Sequence, residues 1–326
     1  MPTNLRLAFR MLRRSPFLTL VAIVSLALGI GANTAIFSLY DQMLVRALPV
    51  KEPDRLVNFV VPGPKSGALS ADDAGTPDAI FSYPMFRDLE RVQSSFTGIA
   101  AHRAFRANLA YKGRTSNGTG MLVSGSYFDV LGLTPALGRL LGPDDDRTPG
   151  AHDVVVLSHA YWRTRFGADP NVLNEKLIVN GTPMTIVGVA PRGFQGTTLG
   201  IQPQVFVPIT MRGQMVPGWD GFDNRRSYWI YLFARLKPGV TVESAAAAIN
   251  GPYRSILEEV EAPLQQGMSE ATLARFRSRT IILEPGAKGQ SSLHRNARGP
   301  LTLLLGVTGF VLLIACANVA NLLLAR

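Results

Sequence analysis

Any chemistry in this sequence would have to start from four histidines, one cysteine and a run of three aspartates. His102, His152, His159 and His294 are scattered, and His152 and His159 lack the i,i+4 spacing that puts two imidazoles on one helical face. No cysteine accompanies them, so they read as solvated or hydrogen-bonded side chains rather than metal ligands. Cys316 is the sole cysteine and stands in an apolar run, which leaves the remainder without disulfides or thiolate chemistry. That usage is compatible with an extracytoplasmic compartment. Asp144-Asp145-Asp146 lacks the spaced ligands of a calcium loop and reads as a solvated turn or helix start. The sequence has no Gly-x-x-x-x-Gly-Lys-Ser/Thr phosphate loop and no Gly-x-Ser-x-Gly nucleophile elbow. Asn117-Gly118-Thr119 and Asn180-Gly181-Thr182 match the glycosylation sequon, a pattern that arises often by chance. The expectation is a chain that is not an enzyme, with no catalytic, metal or cofactor-binding residue of its own.

The informative polar residues lie instead inside two long uncharged segments, Phe17–Leu39 and Leu301–Leu324. At ~1.5 Å per residue each would be roughly 35 Å long as a helix, enough to cross a hydrocarbon core of ~30 Å. The first carries Asn33, and the second carries Asn318 and Asn321 on one face. An intramembrane amide is unfavourable without a partner. In antiparallel spans Asn33 and Asn318 differ in depth by roughly 15 Å at ~1.5 Å per residue, so they cannot pair with each other. Ala27, Gly31 and Ala35 repeat every four residues, a spacing suited to close helix contact. Each span is therefore expected to have partners beyond the other one.

The net charge of +10 is not spread evenly. Residues 15–270 hold 22 basic and 22 acidic residues. The surplus sits in Arg6, Arg10, Arg13 and Arg14 at the N-terminus, in residues 271–299, and in Arg326. Basic residues bordering apolar spans favour anionic lipid head groups over a nucleic-acid groove. The first span exceeds a signal-peptide core and lacks a clear cleavage site, so it reads as a retained anchor. Arg6, Arg10, Arg13, Arg14 and Arg326 are read as charge anchors on the cytoplasmic side, although Arg46, Lys51 and Arg55 make the bias across the first span narrow. Residues 5–14 fit either an interfacial amphipathic helix or a simple basic flank.

Between the spans, short helices and strands recur. Arg55–Val61 is a predicted strand, and the Gly/Pro/Ser-rich residues 62–79 read as a mobile loop. Tyr83-Pro84 opens a helix; residues 98–111 and 118–124 look extended; Ser126–Leu131 is a helical turn stopped by Gly132. Asp153–Leu157 is a strand, after which Ser158 caps a helix ended by Gly167. Asn180-Gly181 joins Lys176–Val179 to Met184–Val189 as a hairpin. Strands at Gln204–Pro208 and Ser227–Leu236 precede a type II turn at Lys237–Val240, and Thr241 caps a helix reaching about Leu257. Thr280–Leu283 is a last strand. The reading is an α+β protein: two transmembrane helices flanking a mixed α/β extracytoplasmic domain with two subdomains. Its boundaries are a basic segment at 1–16, spans at 17–40 and 300–325, and the domain at 41–299.

Several stretches resemble a known family. LVSGSYFDVLGLTPALGRLLG at 122–142 is similar to the MacB-like periplasmic core domain, as are SYPMFRDLE at 82–90, VVVLSHAYWRTRFGADP at 154–170, VNGTPMTIVGVAPRGFQG at 179–196 and LFARLKPGVT at 232–241. ACANVANLLLAR at 315–326 resembles the first helix of an FtsX-like permease domain. Together they cover nearly the whole chain, in order, as in the N-terminal portion of an ABC transporter permease of the duplicated orphan type. Asn174 stands where the resemblance leads one to expect glycine. What the resemblance implies is a permease subunit in the bacterial inner membrane, with its large domain periplasmic. It would transmit ATP-driven motion from a separate ATPase subunit, which binds the ATP. The work would be efflux, lipoprotein handling or envelope remodelling. Implied partners are membrane lipids, the ABC ATPase, a second copy or further permease helices, and a periplasmic adaptor. Because this family continues with more spans, the sequence is expected to be a fragment or a truncated product. From the residues alone, a two-span receptor with an extracytoplasmic sensor domain stays open beside it.

Overall fold

The computed structural model describes residues 16–218 and 221–324. The chain divides into two compact units, Ala47–Ser292 and the two flanking helical segments. The charge anchors Arg6, Arg10, Arg13, Arg14 and Arg326 lie outside the described residues.

In the flanking unit, Pro16–Tyr40 forms helix α1 and runs on into a π-helical turn at Asp41–Val45. Its second helix is Ser292–Leu324, called α8 below, and it begins well before the expected position 300. Pro300 lies inside it. Proline removes one amide donor from the ladder, and the helix continues through it to Leu324. Thr19–Val45 and Ala297–Asn321 are long and apolar enough to cross a membrane, with mean hydropathies of 2.1 and 2.3.

In the central unit, strands are β1 Leu56–Val60, β2 Ala68–Leu69, β3 Ile80–Ser82, β4 Phe96–Tyr111, β5 Arg114–Val123 and β6 Leu137–Gly138. They continue as β7 Val154–Leu157, β8 Lys176–Val179, β9 Thr182–Val189, β10 Val205–Pro208, β11 Ser227–Leu236 and β12 Ile282–Pro285. Helices are α2 Tyr83–Val92, α3 Tyr127–Leu131, α4 His159–Phe166, α5 Arg212–Met215, α6 Val242–Ile256 and α7 Glu270–Arg277. The long strand β4 is the spine. Its first half pairs with β11, which leads through β1 to β12. Its second half joins β5, β10, β7, β9 and β8, and β8 pairs back onto β4, so these six strands close into a ring. β11 is buried along its whole length. Leu232 and Ala234 belong to the core that holds α2 and α6, whereas Phe233 belongs to the core that holds α3. Burial on both faces is why SYWIYLFARL reads as a continuous apolar run rather than an alternating one.

Local signals explain most element ends. Ser82, Ser158 and Thr241 each accept a hydrogen bond from an amide in the first turn of their helices. Gly132 and Gly167 close α3 and α4 in the left-handed region. Asn180 and Gly181, with φ of 48° and 86°, form the hairpin turn that joins β8 to β9. β5 starts earlier than predicted because Lys112 and Gly113 take positive φ (47° and 75°) and make a two-residue hairpin. Asn174 has φ of 65°, so it occupies the left-handed conformation that glycine would otherwise supply and asparagine tolerates best.

Two expectations need correction. The segment 62–79 is pinned rather than mobile: β2 pairs with β11, and Arg103 Nε lies 3.2 Å from Asp72 Oδ2. The aspartate run is largely not solvated. Asp146 is buried against Arg87 (2.7 Å) and the Gly125 amide (3.0 Å), and Asp145 pairs with Arg139 (2.6 Å). Only Asp144 is exposed.

Candidate functional site

The chain enters the central unit at residue 47 and leaves it at residue 292, and the two ends are tied together. The Leu48 amide donates to the Ala287 carbonyl (2.8 Å), and the Gly286 amide donates to Leu56 O at the start of β1 (2.7 Å). After Pro285 the chain makes a turn in which Gly289 has φ of +78°. A Cβ on Gly289 would lie 2.2 Å from the Thr197 carbonyl oxygen, so only glycine lets the backbone approach this closely. Asn58 Nδ2 on β1 donates to Gly289 O (3.0 Å), and the Gln290 amide donates to Thr197 O (2.8 Å).

Gln290 then turns its side chain into the middle of the sheet. Its Nε2 donates to Leu232 O on β11 (3.0 Å), and its Oε1 lies 2.7 Å from His102 Nε2 on β4. His102 is wholly buried: it stacks on Tyr231 (5.7 Å, 28°), with Tyr127 and Phe233 at 6.2 and 5.9 Å. Burial pushes the imidazole down from 6.5 to about 4; Arg103 adds to the fall, and the Gln290 contact and Asp72 oppose it. Burial likewise raises the phenols of Tyr127 and Tyr231. Tyr127 Oη pairs with Thr197 Oγ1 (3.0 Å), the residue whose carbonyl holds Gln290. Tyr231 Oη accepts from the Asp72 amide (2.8 Å). The amide of Ser292, the first residue of α8, donates to Asp73 O (2.9 Å), so the 62–79 segment closes the other side of the same junction.

His102 is wholly buried, with the rings of Tyr231, Tyr127 and Phe233 around it. Among the described residues, no group of three His, Cys, Asp or Glu could hold a metal ion. What the junction does offer is a set of short polar contacts that fix both ends of the domain to one buried sheet.

In the helical unit, α1 and α8 pack through a face that includes Gly29. A Cβ there would meet Leu312 Cδ1 at 3.1 Å and Leu312 Cα at 3.6 Å. Asn33 is half-buried, and its Oδ1 accepts from Thr308 Oγ1 (3.4 Å). Ala27, Gly31 and Ala35 are exposed, and a Cβ on Gly31 would meet nothing within 4 Å. The expected small-residue face therefore points away from α8. Gly29 and Asn33, which do contact α8, keep the same four-residue spacing offset by two. Asn318 and Asn321 are exposed and line a groove of about 870 Å³ together with Ser25, Gly29, Ala32 and Ala315.

Residues 19–251 match the family model of the MacB-like periplasmic core domain. The macrolide export ATP-binding/permease protein MacB of Burkholderia thailandensis is 35% identical over 94 residues, which is 27% of this chain and 14% of that protein. Among solved structures, the periplasmic region of MacB from Actinobacillus actinomycetemcomitans gives a TM-score of 0.46 at 17% identity, covering 68% of this chain and 89% of that one. The extracellular domain of the noncanonic ABC-type transporter YknZ from Gram-positive bacteria gives 0.42 at 15% identity, covering 60% and 91%.

Proposed function

Because the chain belongs to the MacB-like periplasmic core domain family, we propose that it is a permease subunit of an ABC-type transporter, set in the bacterial inner membrane with residues 47–292 outside it. In this role a separate ATPase hydrolyses ATP, and the chain carries the resulting motion to its outer domain. The carrying observation is the junction: Leu48 and Ala287 are bound at 2.8 Å, and Gln290 is anchored inside the sheet. Displacement of the segments that lead to α1 and α8 would then reach the sheet directly rather than be absorbed by slack linkers. The exposed amides Asn318 and Asn321, and the outward Ala27, Gly31 and Ala35, suit further permease helices or a second copy. Arg6, Arg10, Arg13, Arg14 and Arg326 suit anionic lipid on the cytoplasmic side, and a periplasmic adaptor completes the set of partners. The work done outside the membrane would be efflux, lipoprotein handling or envelope remodelling.

The test is reconstitution of the full-length protein with an ABC ATPase from the same host. The ATPase should co-purify, and its turnover should change on binding. Gln290→Leu should keep the complex but lose that change, whereas Asn318→Leu or Asn321→Leu should weaken assembly itself. Failure to recover any ABC ATPase, together with saturable binding of a small ligand by the outer domain, would replace this reading with a two-span receptor.

A further inference from the structure

The six-stranded ring of the central unit closes where β8 pairs back onto β4. That seam is short: Leu109 faces Val179, and Ala110 faces Ile178. The side chain of Asn180 extends it. Its Oδ1 accepts from the Asn108 amide (2.7 Å), beside the bond from the Asn180 amide to Asn108 O (2.9 Å). Its Nδ2 donates to Arg106 O on β4 (3.0 Å) and to Met215 O at the end of α5 (2.8 Å). One side chain thus ties the β8–β9 turn to two other elements. The amide can do this because it offers an acceptor and two donors; a carboxylate, with no donor, cannot.

The next residue, Gly181, is exposed at φ +86°. It has no Cβ to shield its backbone nitrogen. Attack of that nitrogen on Asn180 Cγ forms a C–N bond, expels Nδ2 as ammonia and leaves a succinimide. Water then opens the succinimide to aspartate or isoaspartate. Attack makes Cγ tetrahedral while Oδ1 and Nδ2 are held by backbone groups of two other elements, so the closed seam opposes it. Afterwards Nδ2 is gone. The new carboxylate has no hydrogen to offer Arg106 O or the carbonyl of the buried Met215. Isoaspartate also lengthens the main chain inside a two-residue turn whose geometry is set by φ of 48° and 86°. We infer that Asn180-Gly181 is a modification site gated by the ring: opening of the β4–β8 seam frees Asn180 to cyclise, and the resulting deamidation keeps the seam open. This goes beyond the coupling role proposed above and does not depend on it.

Mass spectrometry of peptides from the full-length protein, aged in a series of urea concentrations, reads the gate. Without urea, Asn180 should deamidate at least about tenfold more slowly than in the unfolded chain, since three hydrogen bonds must first break. Its rate should begin to rise below the urea concentration that unfolds the whole domain. Asn250-Gly251, inside α6, is the reference, and its rate should rise only with global unfolding. Asn180→Asp copies the product. It should lose hydrogen-exchange protection across β8 by at least about tenfold while β7 and β10 keep theirs. Should that variant not fold, Asn180→Gly, which keeps the positive φ and removes the amide, takes its place with the same expected loss. Deamidation of the folded protein as fast as that of the unfolded chain overturns the gate. So does a rise at Asn180 that merely coincides with global unfolding, or wild-type protection of β8 in the variant.

Discussion

Gly289→Ala is the sharpest probe of the junction, and its effect can be worked from the structure. Gly289 sits at φ +78°, where an L-residue is disfavoured by roughly 1–2 kcal/mol. The added methyl would also lie 2.2 Å from the Thr197 carbonyl oxygen, well inside any real contact, so the backbone must move. Movement breaks the Gln290 amide bond to Thr197 O and the Asn58 bond to Gly289 O, each contributing about 1 kcal/mol net. Together these come to about 3–4 kcal/mol against the closed junction, or opening more frequent by two to three orders of magnitude at ~1.4 kcal/mol per factor of ten. Gly239→Ala is the matched control. Gly239 has nearly the same φ, +77°, but a Cβ there meets nothing within 4 Å, so it carries the conformational strain alone. Native-state hydrogen exchange at neutral pH reads both variants. Residues 286–292 should lose protection by at least a hundredfold in Gly289→Ala and stay within a few-fold of wild type in Gly239→Ala. Equal, small effects in the two variants would show that close approach at Thr197 does not hold the segment, and the account of the junction would fall.

Two further outcomes follow from other parts of the chain. Gly29→Leu should separate α1 from α8, because the backbone of Leu312 lies 3.6 Å from a Cβ at that position. In a Cys316→Ser background, cross-linking between cysteines at 32 and 315 should drop sharply, while Gly31→Leu, which adds bulk on the open side, leaves it intact. Lys65 donates to the carbonyls of Pro77 and Ile80 (2.5 and 2.9 Å), and burial, reinforced by Arg279 and opposed by Asp78, lowers its pKa from 10.5 to about 7. The folded state thus binds fewer protons than the unfolded chain above pH 7, so Lys65 should make the domain more stable as pH rises from 7 to 9. Urea midpoints at both pH values should show that gain in wild type and lose it in Lys65→Met.

The parts of this fold that were legible in the sequence are those fixed within a few residues. Ser158 caps α4 and Gly167 ends it because a hydroxyl and a missing Cβ act on their own turn. Asn180-Gly181 turns the β8–β9 hairpin for the same reason. The aspartate run shows where that logic stops. Asp144, Asp145 and Asp146 are chemically identical in the sequence, yet Asp146 is buried because Arg87 and the Gly125 amide reach it from distant positions. The Gly/Pro/Ser-rich stretch 62–79 failed as a mobile loop for a related reason. Composition reports what a backbone can do unaided, not that Tyr231 and Arg103 are waiting to hold Asp72.

The candidate site was hidden by the same limit in stronger form. GAKGQSS carries no motif: two glycines and a neutral amide look like any linker. The anchoring of Gln290 depends on His102, 188 residues away, and on a sheet register that brings β4 and β11 together beneath it. His102 in turn looked ordinary because a lone histidine reveals nothing of its burial. The membrane segments were half legible: a four-residue spacing shows that a helix has a smooth face, but only the partner decides the phase. Gly29 and Asn33 meet α8, whereas Ala27, Gly31 and Ala35 are exposed. The unused phase is therefore informative in its own right. A second smooth face on α1, and two amides on α8 lining an open groove, are surfaces that this pair of helices leaves unfilled, and a helix offering small side chains and one hydrogen-bonding group would fit them.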